Sequence, residues 1–122
     1  MHELGIAHEV LEAVRKEATG LNGQRPTKVG VRIGELAAVD PEALHFCFDA
    51  LVQETGLAPL ELEIEFCPRR HRCPQCNEVF AVVDYAVACP RCGNPRTEFV
   101  SGDELELAYL EVSDYEPLAT GR

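Results

Sequence analysis

Cys73-Pro74-Gln75-Cys76 and Cys89-Pro90-Arg91-Cys92-Gly93 are two CxxC knuckles with 12 residues between them. A CxxC turn aims both sulfurs at one centre and turns the backbone amides after its first cysteine toward the thiolates. Four thiolates at tetrahedral spacing suit zinc, and a closed four-sulfur shell leaves no coordination position open for catalysis. The intervening Val79-Phe80-Ala81-Val82-Val83 and the following Thr97-Glu98-Phe99-Val100 read as short strands, so the segment reads as a zinc ribbon. Structural zinc contributes on the order of 10–16 kcal/mol in small fingers, so this segment is expected to be unfolded without its metal. Iron in the same shell and redox use of the thiols are the alternatives. A thioredoxin-type CxxC, however, opens a helix in a βαβ unit. Cys67 and His71 flank the knuckles but are not needed once four cysteines complete the shell.

On both sides of this segment, about Pro68 to Ser101, the texture changes. From Glu3 to about Gly20, Leu4, Ala7, Val10, Leu11, Val14 and Ala18 fall at the three-and-four spacing of an amphipathic helix, which Thr19-Gly20-Leu21-Asn22-Gly23 ends. Lys28 to Gly34 alternates, with Val29, Val31 and Ile33 on one face, as a strand does. Asp40 as N-cap and Pro41 at the first helical position open a second helix, which carries Leu44, Cys47, Phe48, Leu51 and Val52 inward and ends near Thr55-Gly56. Leu60 to Phe66 and Glu104 to Val112 alternate again and need one buried face each. The expected fold class is α+β: two helices packed on a three-stranded, mostly antiparallel sheet, with the zinc ribbon inserted before the last strand. The expected domains are residues 1–67 plus 102–122 and an inserted ribbon, 68–101.

With 122 residues and a formal charge of −10, the chain lacks the basic face that counterion-release binding of nucleic acid requires. Arg69, Arg70, Arg72, Arg91 and Arg96 decorate the ribbon, where they balance a tetrathiolate zinc and the acidic body or make a local contact. No charged leader with a long apolar run opens the chain, and no window approaches the roughly 18 apolar residues of a membrane span. A cytoplasmic location is expected, where six cysteines are thiols or metal ligands before they are disulfides. There is no nucleophile elbow, phosphate-cradling glycine loop or HExxH, so no enzyme is expected.

The chain opens Met1-His2-Glu3. A histidine directly behind the N-terminus offers three fused donors: the α-amine, the His2 amide nitrogen and the His2 imidazole. Nickel and copper favour such square-planar nitrogen sites. A helix beginning almost at once holds those donors against the domain, and preorganised donors bind better than floppy ones.

Met1-His2-Glu3-Leu4, Arg32-Ile33-Gly34-Glu35-Leu36, Asp40-Pro41-Glu42-Ala43-Leu44 and the late double CxxC occur in that order. Together they resemble the HypA/HybF family of hydrogenase-maturation nickel metallochaperones across essentially the whole chain. The resemblance implies a nickel-binding α/β domain with an inserted zinc ribbon, serving protein maturation. It places Ni(II), a transient cargo, at His2 and its neighbours Met1 and Glu3. Asp40 falls where some members contribute a carboxylate near the metal. Structural Zn(II) is implied at Cys73, Cys76, Cys89 and Cys92. The implied partners are a HypB-type GTPase and the large subunit of [NiFe]-hydrogenase, with urease and a urease accessory protein served in some organisms. Weak homodimers are implied, and a membrane or nucleic acid is not. An arginine-bearing interaction module of a nucleic-acid machine and a thiol oxidoreductase are the competing classes.

Overall fold

Helix α1, His2–Ala18, buries Ala7, Leu11 and Val14, one face of the apolar stripe. The computed structural model describes residues 2–21 and 23–114. Strand β1, Gln24–Gly34, is longer than its alternating segment and buries Val29, Val31 and Ile33. A single 3-10 turn, Glu35–Ala37, follows. Helix α2, Pro41–Thr55, starts where Asp40 and Pro41 predict. The Asp40 carboxylate accepts the Glu42 and Ala43 N–H groups, satisfying donors that have no partner within the helix. Gly56, with φ 74°, caps the other end in the left-handed conformation that glycine adopts without steric cost.

Strand β2, Glu61–Cys67, and strand β6, Leu105–Asp114, flank β1 in a sheet of order β2-β1-β6. β6 runs antiparallel to β1: Gly34 N–H donates to the Glu104 carbonyl and Thr27 Oγ1 donates to that of Glu111. Strands β3 (Arg70–Arg72), β4 (Val79–Ala81) and β5 (Glu98–Ser101) form a second sheet, order β4-β3-β5, with both pairings antiparallel. The fold is thus two helices on a three-stranded sheet, with a second small sheet whose connecting turns carry the four clustered cysteines. β3 has no counterpart in the sequence expectation, because the charged tripeptide Arg70-His71-Arg72 shows no apolar alternation.

The described residues cluster into two units. Of these, the first comprises residues 2–21, 23–31, 39–64 and 107–114; the second comprises 32–38 and 65–106. In the first, α1 packs on α2, and Leu44, Phe48, Val52, Leu60 and Leu62 join the α1 residues and Val29 and Val31 in the core. Burial fades in two of the predicted strands. Phe66 at the end of β2 is exposed, and β6 leaves Leu105, Leu107 and Tyr109 substantially exposed. Among the described residues β6 has a hydrogen-bonded neighbour on one side only, so fewer atoms flank it.

Two glycines mark close approaches that a Cβ would prevent. The Tyr109 ring lies over Gly30, and its hydroxyl donates to Glu63. Within the second unit, a Cβ on Gly34 would stand 2.1 Å from the Gly102 carbonyl oxygen.

Candidate metal sites

The two knuckles are built alike. The Cys73 N–H donates to the Glu78 carbonyl and the Asn77 N–H to that of Cys73; five and four residues apart again, Cys89 donates to Asn94 and Gly93 to Cys89. Asn77 (φ 65°) and Gly93 (φ 81°) occupy the same left-handed position. Asparagine and glycine are the residues that accept it most readily. The residue after each CxxC therefore closes the loop, a signal present in the sequence as Cys-Asn and Cys-Gly.

This geometry brings the Sγ atoms of Cys73, Cys76, Cys89 and Cys92 within 4.8 Å of one another. Cys73 and Cys92 approach to 3.5 Å, and Cys76 and Cys89 to 3.6 Å. A tetrahedral zinc shell with bonds of about 2.3 Å requires roughly 3.8 Å between sulfurs, so the four thiols fit that shell. The Arg91 and Cys92 N–H groups point at Cys89 Sγ, at 3.4 and 3.5 Å, and Asn94 Nδ2 lies 3.8 Å from Cys73 Sγ. Burial pushes the Cys73 thiol up, but N–H donation from Cys76 and Gln75, with hydrogen bonds from the neighbouring thiols, brings it down to about 6. Cys89 is lowered as well, whereas Cys76 and Cys92, beside them, are raised, so that without a metal the four sulfurs share protons instead of all ionising. Donors already aimed at sulfur stabilise thiolate, the form a metal binds.

His71 does not join the cluster. It is buried between Phe80 and Phe99, and its Nδ1 lies 2.9 Å from Thr97 Oγ1. The Thr97 hydroxyl spends its proton on the Val87 carbonyl, so Nδ1 carries the ring proton and Nε2 is a buried lone pair without a partner. Burial, and then the Arg69 charge, lower the His71 pKa. Cys47 and Cys67 are half-buried free thiols outside the cluster. Of the ribbon arginines, Arg72 pairs with Glu98 and Asn77, and Arg91 lies 3.7 Å from Glu78.

At the other end of the chain, Met1 lies outside the described residues. His2 is the first residue of α1 and is exposed. Glu3, in the first turn, accepts the Asp40 backbone N–H at 3.0 Å through Oε2. This bond is the main cause that holds the Glu3 carboxyl below its usual range, and the nearby His2 and N-terminal charges lower it further. Glu3 and Asp40 thus meet through a carboxylate and a main-chain amide, while the Asp40 carboxylate caps α2. Sequence reasoning foresees the cap. It does not foresee the Glu3–Asp40 bond, because no pattern pairs residues 37 apart.

Comparison with known proteins converges on one family. The model described as "Hydrogenase/urease nickel incorporation, metallochaperone, hypA" matches residues 1–112. A hydrogenase maturation factor HypA from Geobacter metallireducens is 40% identical over 112 residues, covering 92% of this chain and 99% of the relative. Another, from a Roseiflexus species, is 40% identical over 121 residues, covering 98% of each. The solution structure of the nickel metallochaperone HypA from Helicobacter pylori superimposes with a TM-score of 0.58 at 23% identity, covering 89% of this chain and 95% of that one. A second HypA solution structure gives 0.64 at 24% identity, covering 91% and 95%. These two speak for the fold. With the family model spanning both the Met-His-Glu opening and the four-cysteine cluster, the chain belongs to the HypA family of nickel metallochaperones for hydrogenase maturation.

Proposed function

We propose that the chain binds Ni(II) at its N-terminus, through Met1, His2 and Glu3 with Asp40 nearby, and hands it on for assembly of the [NiFe]-hydrogenase active site. The observation that carries this reading is the Glu3–Asp40 bond at 3.0 Å, which ties the first turn of α1 to the start of α2. A terminal histidine set on a helix held this way has lost much of the freedom that weakens binding by a loose tail. The exposed position of His2 leaves the site open to a recipient's ligands, as a carrier needs. Asp40 retains its cap bonds in this reading and contributes, at most, its second carboxylate oxygen.

The four cysteines hold Zn(II) in the inserted ribbon, residues 68–101, and residues 1–67 plus 102–122 form the nickel-binding domain. The zinc holds the ribbon folded; its donor set and the amides aimed at sulfur support this. A HypB-type GTPase and the hydrogenase large subunit are the partners, with urease and its accessory protein as a second destination. The action is a ligand exchange in the cytoplasm, with no membrane partner. Among the described residues no helix is long and apolar enough to cross a membrane.

The test is nickel titration of zinc-loaded protein, comparing the native N-terminus with a version carrying Gly-Ser ahead of Met1. The extension removes the terminal amine from the chelate and leaves every side chain intact. A loss of affinity of about a hundredfold or more places nickel at the terminus, since a chelate donor contributes several kcal/mol. Unchanged affinity moves the metal elsewhere and ends the proposal.

A further inference from the structure

Three features of the second unit meet at one place. The first is a cavity of about 260 Å³ lined by Glu35, Leu36, Arg69, Val82, Asp84 and Tyr85.

The second is the state of Arg69. Its main chain is fully committed: the N–H donates to Glu35 Oε1 at 2.9 Å and the carbonyl accepts the Val82 N–H at 2.9 Å. Its side chain is not. Nε is buried without a hydrogen-bond partner, and among the described residues the guanidinium joins no ion pair. Arg69 as a whole is half-buried, but its Nε, a donor atom removed from water with nothing to bond, loses its hydration and recovers nothing until an acceptor arrives.

The third is the turn Val83-Asp84-Tyr85-Ala86. Ala86 N–H bonds the Val83 carbonyl at 3.0 Å, and both central residues have positive φ, 52° and 63°. That is a type I′ turn, which glycine and asparagine normally fill. A tyrosine there is strained, and it is 86% exposed, with Val83 beside it at 65%. Strain that stability would select against points to a role at the surface.

The geometry points to this cavity as an anchor site for a segment of a partner protein that presents an aspartate or glutamate beside an apolar side chain. The carboxylate follows from Arg69, whose planar fork matches it and whose Nε lacks an acceptor. The apolar neighbour follows from Leu36, Val82 and Tyr85 in the wall. A protein segment is favoured over a small molecule by size. The cavity is smaller than the roughly 300–1,000 Å³ of small-molecule sites and holds one or two side chains. Exposed Tyr85 and Val83 extend the apolar surface beyond it, and tyrosine and arginine dominate the energetic centres of protein interfaces. Glu35 and Asp84 are the opposing charges in the wall, but both are exposed, Glu35 Oε1 is engaged by the Arg69 main-chain N–H, and neither pairs with the buried Nε. The inference does not depend on where nickel binds.

The experiment follows the Arg69 Nε–H signal and the Leu36, Val82 and Tyr85 amide signals of ¹⁵N-labelled, zinc-loaded full chain by NMR. The probes are N-acetyl-Leu-Glu-Leu-amide, its glutamine and lysine counterparts, and sodium acetate, each at millimolar concentrations. The glutamate peptide is expected to produce a saturable shift and to bind about tenfold or more tightly than the other three, the scale of one charged hydrogen bond. Arg69→Gln should erase the preference for glutamate over glutamine. Tyr85→Gly should weaken the glutamate peptide roughly fivefold while the thermal midpoint does not fall, since glycine suits the turn. Equal shifts from glutamate and glutamine peptides, or no saturable shift, overturn the proposal. So does a preference for the lysine peptide, which would mean a basic partner. Acetate matching the peptide would mean a free-carboxylate site and equally overturns it. Should Arg69→Gln fail to fold, the Tyr85→Gly titration still decides.

Discussion

The two units of this chain bury different things. The first hides Ala7, Leu11, Val14, Val29, Val31, Leu44, Phe48, Val52, Leu60 and Leu62, an ordinary apolar core. The second hides Ile33 and Val82, two of the cluster cysteines, and a histidine. At roughly 25 cal/mol per Å² of apolar surface, so few carbon side chains do not balance the entropy of ordering a ribbon. Scaffolds with so little core are held by a staple, and the proposed zinc on the four clustered thiols would be that staple. One chain therefore uses two ways of folding. Where the core is apolar, the proposed nickel would meet a surface that already exists and could leave it intact, as a cargo must. Where the core is a cysteine cluster, the proposed zinc would make metal binding and folding one event.

That contrast is open to direct attack, and the largest effect should come from the thiols. Replacing Cys73 and Cys89 together by serine is expected to remove zinc from the protein by metal analysis. It should also abolish amide protection in β3, β4 and β5, a loss on the order of 10 kcal/mol. Amide exchange in α1 and α2 should persist. If the helices lose protection as well, the two units are not energetically distinct and the comparison fails.

The converse substitution comes next. Phe48→Ala empties the centre of the apolar core and should destabilise the first unit by about 3–5 kcal/mol in denaturant titration. Zinc content should be unchanged. A smaller effect separates the two roles of Asp40. Asp40→Ala loses the α2 cap and should cost about 0.5–2 kcal/mol, whereas Asp40→Asn keeps an acceptor and should cost little. A fall in nickel affinity in the asparagine variant, with stability held, would then report the carboxylate's charge and not the cap.

Acid should separate the units most gently. His71 has a lowered pKa, so the unfolded chain takes its proton first. The stability it contributes is complete above the ordinary value of 6.5 and is lost as pH falls through its folded value. Glu3 is also lowered, and its contribution is complete above 4.5 and lost below that. Thermal melts followed by signals of each unit should therefore show the second unit weakening first on acidification. The acid loss from Glu3 should vanish in Glu3→Gln, whose amide oxygen still accepts the Asp40 N–H. Simultaneous weakening of both units from neutral pH would contradict the assignment.

Much of this was legible from local pattern. The helix start at Asp40-Pro41, the Gly56 stop and the buried trio Val29, Val31 and Ile33 follow from rules that reach only a few residues along the chain. The four-cysteine cluster was legible for the same reason, because each knuckle is a local turn. β3 was not, since its charged residues pair with strands distant in sequence. Nor was the exposure of Phe66, Leu105 and Leu107, because alternation says which residues share a face and not whether anything covers it.

By itself, then, the sequence determined the two helices, every strand but β3, the thiol set, and a terminal histidine and glutamate suited to a metal. The tertiary structure alone decided that Glu3 ties the first turn of α1 to the Asp40 backbone. It also decided that His71 stays outside the thiol cluster with its Nδ1 bonded to Thr97, and that Arg69 is buried at Nε with no acceptor. The physical reason is range. Propensity, capping and chelate spacing act between near neighbours, whereas desolvation and hydrogen-bond satisfaction depend on whichever distant atoms the fold brings alongside.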